Sequence, residues 1–224
     1  MSDLFPNVAP AETGALQFPQ SLSEKYRPTT LAQFVGLDKP RKILTNFAKK
    51  PYPSAWLFTG PSGVGKTSMA QALALEIHGE LHHIPSQKCT AQAIEETCAF
   101  CHYIPLGGGL HVILIDEADR MTSGAQLALL SKLDATAFPP NTIFIFTCND
   151  TKGLEPRFLS RCRVLEFSSY GMAQGIAEYL DKVWHAEGGN GNAPDFARIC
   201  KDSRNNVRDS LMQLETLLLE LEAQ

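Results

Sequence analysis

Ala55-Trp56-Leu57-Phe58-Thr59-Gly60-Pro61-Ser62-Gly63-Val64-Gly65-Lys66-Thr67-Ser68 is the stretch whose reading decides the fold. Its first five residues form an apolar run of strand length. From Lys66 a helical pattern continues to His78. Glycines between a strand and a helix permit close approach of backbone to ligand, so N–H groups at the helix start can face phosphate oxygens. The lysine closing such a loop reaches β- and γ-phosphates, and the next hydroxyl serves Mg2+. Gly60, Ser62, Gly63, Val64, Gly65, Lys66, Thr67 and Ser68 are therefore candidate nucleoside triphosphate contacts, with Thr67 also a candidate Mg2+ residue.

Further strand-length runs follow at Val112–Ile115, Thr142–Thr147 and Val164–Phe167, with a weaker one at Leu81–Ile84 interrupted by His82 and His83. Helical patterns lie between them at Lys66–His78, Thr90–His102 and Ser123–Leu133. Upstream, Asp38 as N-cap and Pro40 in the first turn predict a helix carrying Ile43, Leu44 and Phe47, closed by Pro51 and Pro53. Strands alternating with helices predict an α/β fold, with a mostly parallel, five-stranded sheet covered on both faces. The run Val112–Ile115 ends in Asp116 and Glu117, two charges at the sheet's C-terminal edge, where α/β folds bind ligands. Asp116 is the candidate holder of hydrated Mg2+ and Glu117 the candidate general base.

After Phe167 the strand-like runs stop, and Met172–His185, Ala193–Lys201 and Asn205–Glu222 read as helices. The predicted organisation is an arm at 1–22, an α/β domain at 23–167 and a small helical domain at 168–224. The arm carries Pro6, Pro10, Pro19 and Gly14 without any period, and its composition leaves open whether it docks on a partner. Val207, Leu211, Leu214, Leu218 and Leu221 form an amphipathic seam read as core of the helical domain.

Composition narrows the class. The chain has 224 residues, 44% hydrophobic and 20% charged, as in ordinary globular proteins. No apolar run approaches the roughly 18 residues of a membrane span. Asp3 and Glu12 interrupt the N-terminal stretch, so a secretory signal is not expected. Cys89, Cys98, Cys101, Cys148, Cys162 and Cys200 then read as reduced thiols of a cytosolic protein. A net charge of −4 makes bulk DNA attraction poor, so any nucleic-acid role needs a local basic face or an assembled ring. The group Lys39, Arg41, Lys42, Lys49 and Lys50 reads as a solvated helix face.

Four further motifs make the sequence resemble the AAA+ ATPases, and within them the clamp-loader branch typified by the small subunits of replication factor C. Glu24-Lys25-Tyr26-Arg27-Pro28 followed by Phe34-Val35-Gly36 is similar to the family's adenine-side opening. Asp116-Glu117-Ala118-Asp119 runs into Met121-Thr122-Ser123-Gly124-Ala125-Gln126 as in those subunits. Ser160-Arg161-Cys162 resembles their arginine-finger motif, and Asn206-Val207-Arg208 their sensor-2 segment.

The resemblance covers about residues 23–222 and implies a P-loop AAA+ domain followed by a helical lid. By it, Asn149 orients the water or γ-phosphate, Arg208 touches the γ-phosphate in cis, and Arg161 reaches a neighbouring subunit's site. Tyr26 and Val35 would pack on adenine, although Tyr26 reads equally as a core aromatic. Gln126 would couple the acidic strand to DNA sensing, or is a helix-surface glutamine. The function implied is an ATP- and Mg2+-dependent subunit that loads a sliding clamp onto primer–template DNA beside other copies or related subunits. A DNA motor and a non-hydrolysing ATP-bound scaffold are the alternatives. The family's subunits normally continue into a helical collar, whereas this sequence stops at Gln224.

Cys89, Cys98, Cys101 and His102 echo the zinc-module spacing of bacterial clamp-loader subunits, but Ile104 stands at the fourth position. Their placement after the second strand also differs. These cysteines are expected to be small buried hydrophobes.

Overall fold

A computed structural model of the chain describes residues 20–105, 109–189 and 193–222. Its centre is one sheet of five strands: β1 (Ser54–Thr59), β2 (Glu80–Pro85), β3 (His111–Asp116), β4 (Thr142–Cys148) and β5 (Arg163–Glu166). The order is β2-β3-β4-β1-β5 and every pairing is parallel. All seven residues of β4 are buried, as are five of six in β1 and β3. A strand covered on both faces cannot expose polar side chains on either, which explains the unbroken apolar runs. β2 lies at one edge and is only partly covered, which explains its mixed sequence.

The helices are α1 (Leu22–Lys25), α2 (Asp38–Ala48), α3 (Lys66–Glu76), α4 (Ala91–Phe100), α5 (Ser123–Lys132), α6 (Pro156–Leu159), α7 (Ala173–Ala186), α8 (Phe196–Asp202) and α9 (Val207–Glu222). Alternation along each strand sorts them. Trp56, Phe58, Val112, Leu114, Ile143 and Ile145 share one core with residues of α2, α3, α7, α8 and α9. Leu57, Ile113, Ile115, Phe144 and Phe146 share the other with residues of α4, α5 and Phe158 of α6. The C-terminal helices thus pack on the sheet side that carries α3. The seam of α9 is buried at Leu211 and Leu214, while Leu221 is exposed.

Side-chain caps account for several helix starts. The hydroxyls of Thr90 and Thr122 accept from the amides of Ala93 and Ala125, and Asp195 accepts from the amide of Arg198. The start of α2 differs from expectation. Leu37 holds the N-cap position, and Asp38 is the first helical residue with no capping bond. Its carboxylate instead lies 2.7 Å from Arg41, where a negative charge still suits the helix start. The short helices α1 and α6 carry too few residues to show a period, so the sequence pattern does not announce them.

Of the arm expected over 1–22, residues 1–19 lie outside the described residues, and Leu22 opens α1 as a buried side chain. Between α7 and α8, residues 190–192 lie outside them too.

Phe144 is fully buried in the middle strand and meets Phe138 edge-on. Phe144→Ala is expected to cost about 3–5 kcal/mol of unfolding free energy in a urea titration. A change within about 0.5 kcal/mol, as at a surface site, would contradict this placement.

Candidate functional site

Two glycines of the loop between β1 and α3 stand where a side chain would collide. Gly60 passes so close to the end of β5 that a Cβ would collide with the Phe167 carbonyl oxygen. Gly63 has φ +75°, and a Cβ there would strike the side chain of Asn206, just ahead of α9. Asn206 also donates from Nδ2 to the Ser62 carbonyl at 3.3 Å, so the C-terminal helices touch the loop directly.

Lys66, the first residue of α3, is 8% exposed. Its Nζ donates to the carbonyl oxygens of Gly60 (2.7 Å) and Pro61 (2.8 Å) and to Oδ1 of Asn149 (3.1 Å). All three partners are neutral. Among the described residues no carboxylate lies within ion-pair distance of this ammonium. Burial pushes its pKa below the ordinary lysine value, although nearby acids including Asp116 pull the other way. A buried cation at a helix start, held by neutral oxygens, can receive an anion.

Across the cleft, Oδ1 of Asp116 accepts from the Thr67 hydroxyl at 2.7 Å and, in a short hydrogen bond, from the Thr147 hydroxyl. The Thr147 oxygen in turn accepts from the Glu117 amide at 3.1 Å. Glu117 has φ +53°, a left-handed conformation unfavourable for a residue with a Cβ, and its carboxylate pairs with Arg120 at 3.3 Å. Asp119 keeps a buried carboxylate oxygen with no hydrogen-bond partner among the described residues.

These elements converge on a polar cleft of about 500 Å3 lined by Lys66, Thr67, Asp116, Glu117, Asn149 and Arg208, together with Ser62, Gly63, Gly65 and Ser68 of the loop. An adjoining, more apolar cleft of about 670 Å3 is lined by Tyr26, Phe34, Val35, Val64, Tyr179 and Val207. Arg208 borders both, so one side chain of α9 meets both compartments. Gly60 reaches the site through its carbonyl on Lys66. Tyr26 is both cleft wall and anchor: its hydroxyl donates to Glu187 in a short hydrogen bond, and its carbonyl accepts from the Tyr179 hydroxyl.

Arg161 stands apart. It donates to the Arg157 carbonyl at 3.1 Å, lies 3.7 Å from Asp134, and borders a different groove with Tyr52, Leu133, Phe138 and Arg163. Gln126 corrects the surface reading. It is 4% exposed, donates to the Gly153 carbonyl at 2.9 Å and accepts from the Glu155 amide at 3.1 Å, tying α5 to the segment that leads into α6. Cys89 and Cys98 are buried with thiols pushed up to about 11 and about 12 by desolvation, as small core groups should be.

With this geometry in place, comparison with known proteins becomes informative. Residues 56–170 match the sequence profile of the ATPase family associated with various cellular activities (AAA). The chain belongs to the AAA family. Curated relatives similar to this AAA chain include a replication factor C small subunit of Natronomonas pharaonis, 35% identical over 172 residues, and one of Methanococcus maripaludis, 30% identical over 201 residues. Those matches cover 74% and 86% of this chain but only 52% and 63% of the relatives' own length. Among solved structures, the RuvB Holliday junction branch migration motor of Thermotoga maritima aligns with a TM-score of 0.71 at 18% identity, covering 85% of this chain and 64% of that one. That likeness bears on the fold.

Glu187 is a feature of this AAA chain that no motif exposed, since it follows α7 and meets its partners only through the fold. Its carboxylate binds Lys25 (2.7 Å) and the Tyr26 hydroxyl, and these hydrogen bonds hold it below the usual glutamate value of 4.5. Tyr26 is correspondingly pushed up to about 12, by desolvation first and then by Glu187. A depressed carboxyl stabilises the fold above its unfolded pKa and loses that contribution as pH falls through the folded one. Glu187→Gln should therefore melt at lower temperature than the parent at pH 7, with the gap closing below pH 4.5. A gap independent of pH across that window would mean the charge is not what matters.

Proposed function

We propose that this AAA chain binds and hydrolyses ATP as a clamp-loader-type subunit, coupling turnover to the placement of a sliding clamp on primer–template DNA. The supporting observation is the convergence of Lys66, Thr67, Asp116, Glu117 and Asn149 on one cleft that Arg208 closes from the C-terminal helices. The match to replication factor C small subunits over most of the chain supports the choice of branch.

In this reading residues 23–167 form the nucleotide-binding domain and 168–224 its lid. The loop amides and Lys66 receive the phosphates, with Tyr26 and Val35 beside the base. The donor set fits Mg2+: the Thr67 hydroxyl and Asp116 carboxylate are hard oxygens 2.7 Å apart on the cleft wall. A bound ion would neutralise charge on the transferring phosphoryl group. Glu117 accepts the proton of the attacking water, and Arg120 orients its carboxylate. Asn149, already bonded to Lys66, positions the water or the γ-phosphate. Arg208 links lid position to phosphate occupancy.

Arg161, distant from its own cleft, acts on the site of a neighbouring subunit, so partners are other copies or related loader subunits together with the clamp and DNA. A cytoplasmic location accords with this work; among the described residues no helix is long and apolar enough to cross a membrane.

Two substitutions separate binding from turnover. Lys66→Ala should abolish binding of a fluorescent ATP analogue. Arg161→Ala should leave that binding intact yet lower phosphate release, measured with clamp, primer–template DNA and partner subunits, by roughly 10³-fold or more. Unchanged release in Arg161→Ala would remove the shared-site reading, and release indifferent to clamp and DNA would favour another task for the same engine.

A further inference from the structure

Away from the nucleotide cleft, at the opposite end of β3, three metal-ligating side chains meet. The ring nitrogens of His82 and His111 and the Cys101 thiol all lie within 4.8 Å of one another. His82 Nε2 and His111 Nδ1 are 3.0 Å apart. Glu80, paired with His111 in the β2–β3 register, brings its carboxylate to 4.0 Å from His82 and 3.9 Å from His111. The four residues come from the edge strand, the end of α4 and the first position of β3.

We propose that Glu80, His82, Cys101 and His111 form a structural site for a borderline divalent transition metal, Zn2+ foremost. Neighbouring nitrogens around a tetrahedral zinc, each ~2.0–2.1 Å from it, sit about 3.3 Å apart, close to the imidazole separation here. The thiol, within 4.8 Å of both ring nitrogens, and the carboxylate, 3.9 and 4.0 Å from them, move closer to reach ligand distance. Two imidazoles, a thiolate and a carboxylate match zinc's borderline softness and its four-coordinate preference.

The surroundings are those of a built site. His111 Nε2 lies 2.8 Å from the Tyr103 carbonyl oxygen, which can only accept. The proton is therefore on Nε2, and Nδ1 presents its lone pair to the cluster. A carbonyl behind a ligating histidine is the usual device for fixing that tautomer. Phe100 packs edge-on against both imidazoles, with centroids 5.5 and 5.8 Å away, restricting their rotation. His111 and Cys101 are buried, whereas His82 and Glu80 are partly open and provide the route of entry. On binding, the thiol proton leaves to solvent as the metal–sulfur bond forms. The His82 proton moves from Nε2 to Nδ1. The net exchange is one metal ion in and one proton out.

Such an ion would fasten the sparsely covered edge strand and the end of α4 to the centre of the sheet. Its ligand set shares only Cys101 with the set the cysteine spacing suggests and involves neither Cys89, Cys98 nor His102. The two histidines and the cysteine come from separate elements, so no local spacing announces them.

Co2+ titration of the full chain, expressed without a histidine tag and stripped with chelator, tests the site. One equivalent should produce a thiolate-to-cobalt charge-transfer band and the intense visible absorption of a tetrahedral ion, both bleached by one equivalent of Zn2+. Cys101→Ser should abolish the charge-transfer band. His82→Asn should weaken cobalt affinity roughly tenfold or more. Zn2+ should raise the melting midpoint of the parent but not of Cys101→Ser, with circular dichroism verifying that each variant is folded. Absence of the band at saturating cobalt, or a band that survives Cys101→Ser, overturns the proposal. The cluster is then a self-contained hydrogen-bond chain from His82 through His111 to the Tyr103 carbonyl.

Discussion

A buried ammonium with no carboxylate partner among the described residues is the constraint around which this protein is arranged. Taking a lysine charge out of water is costly, and hydrogen bonds from neutral oxygens recover only part of that loss. The structure places Lys66 where three such oxygens are available, two from the loop it terminates and one from Asn149 beyond the end of β4. The remaining deficit would favour an anionic oxygen brought beside it. Burial of charge is a liability for folding and an asset for binding at the same point.

The sheet makes this arrangement possible. Parallel pairing brings the C-terminal ends of β1, β3 and β4 to one edge, so the loop, the Asp116–Glu117 pair and Asn149 meet although they are far apart in sequence. Thr147 links two of these strands, donating to Asp116 and accepting from the Glu117 amide. The C-terminal helices complete the enclosure through Asn206 on the loop and Arg208 beside it. Glu187 fastens the same helices to the segment that carries Tyr26. Helix position and the shape of the cleft are therefore mechanically connected, which is what a nucleotide-gated device requires.

Much of this is legible in the amino-acid sequence. Central strands buried on both faces must be continuously apolar, so β1, β3 and β4 declared themselves, and a glycine-rich loop between strand and helix has few other uses. Edge strand β2 was faint because half of its side chains face water, which dilutes the pattern. Asp38 looked like a cap because its residue type favours that position, but the backbone turn falls one residue earlier and Arg41 takes its carboxylate. Gln126 could not be recognised as buried, since its partners are backbone groups of a segment about thirty residues away. The meeting of Cys101 with His82 and His111 was hidden for a related reason: strand register and the end of a helix, not sequence spacing, bring them together.

In the proposed reading, Lys66 and the Thr67–Asp116 pair receive a metal-bound triphosphate. A crystal structure of the full chain with Mg2+ and a non-hydrolysable ATP analogue tests this most directly. It should show the phosphates against Lys66, with the ammonium turned from the Gly60 and Pro61 carbonyls, and a metal ion beside Thr67 and Asp116. A nucleotide bound elsewhere, with Lys66 still folded onto those carbonyls, would contradict it.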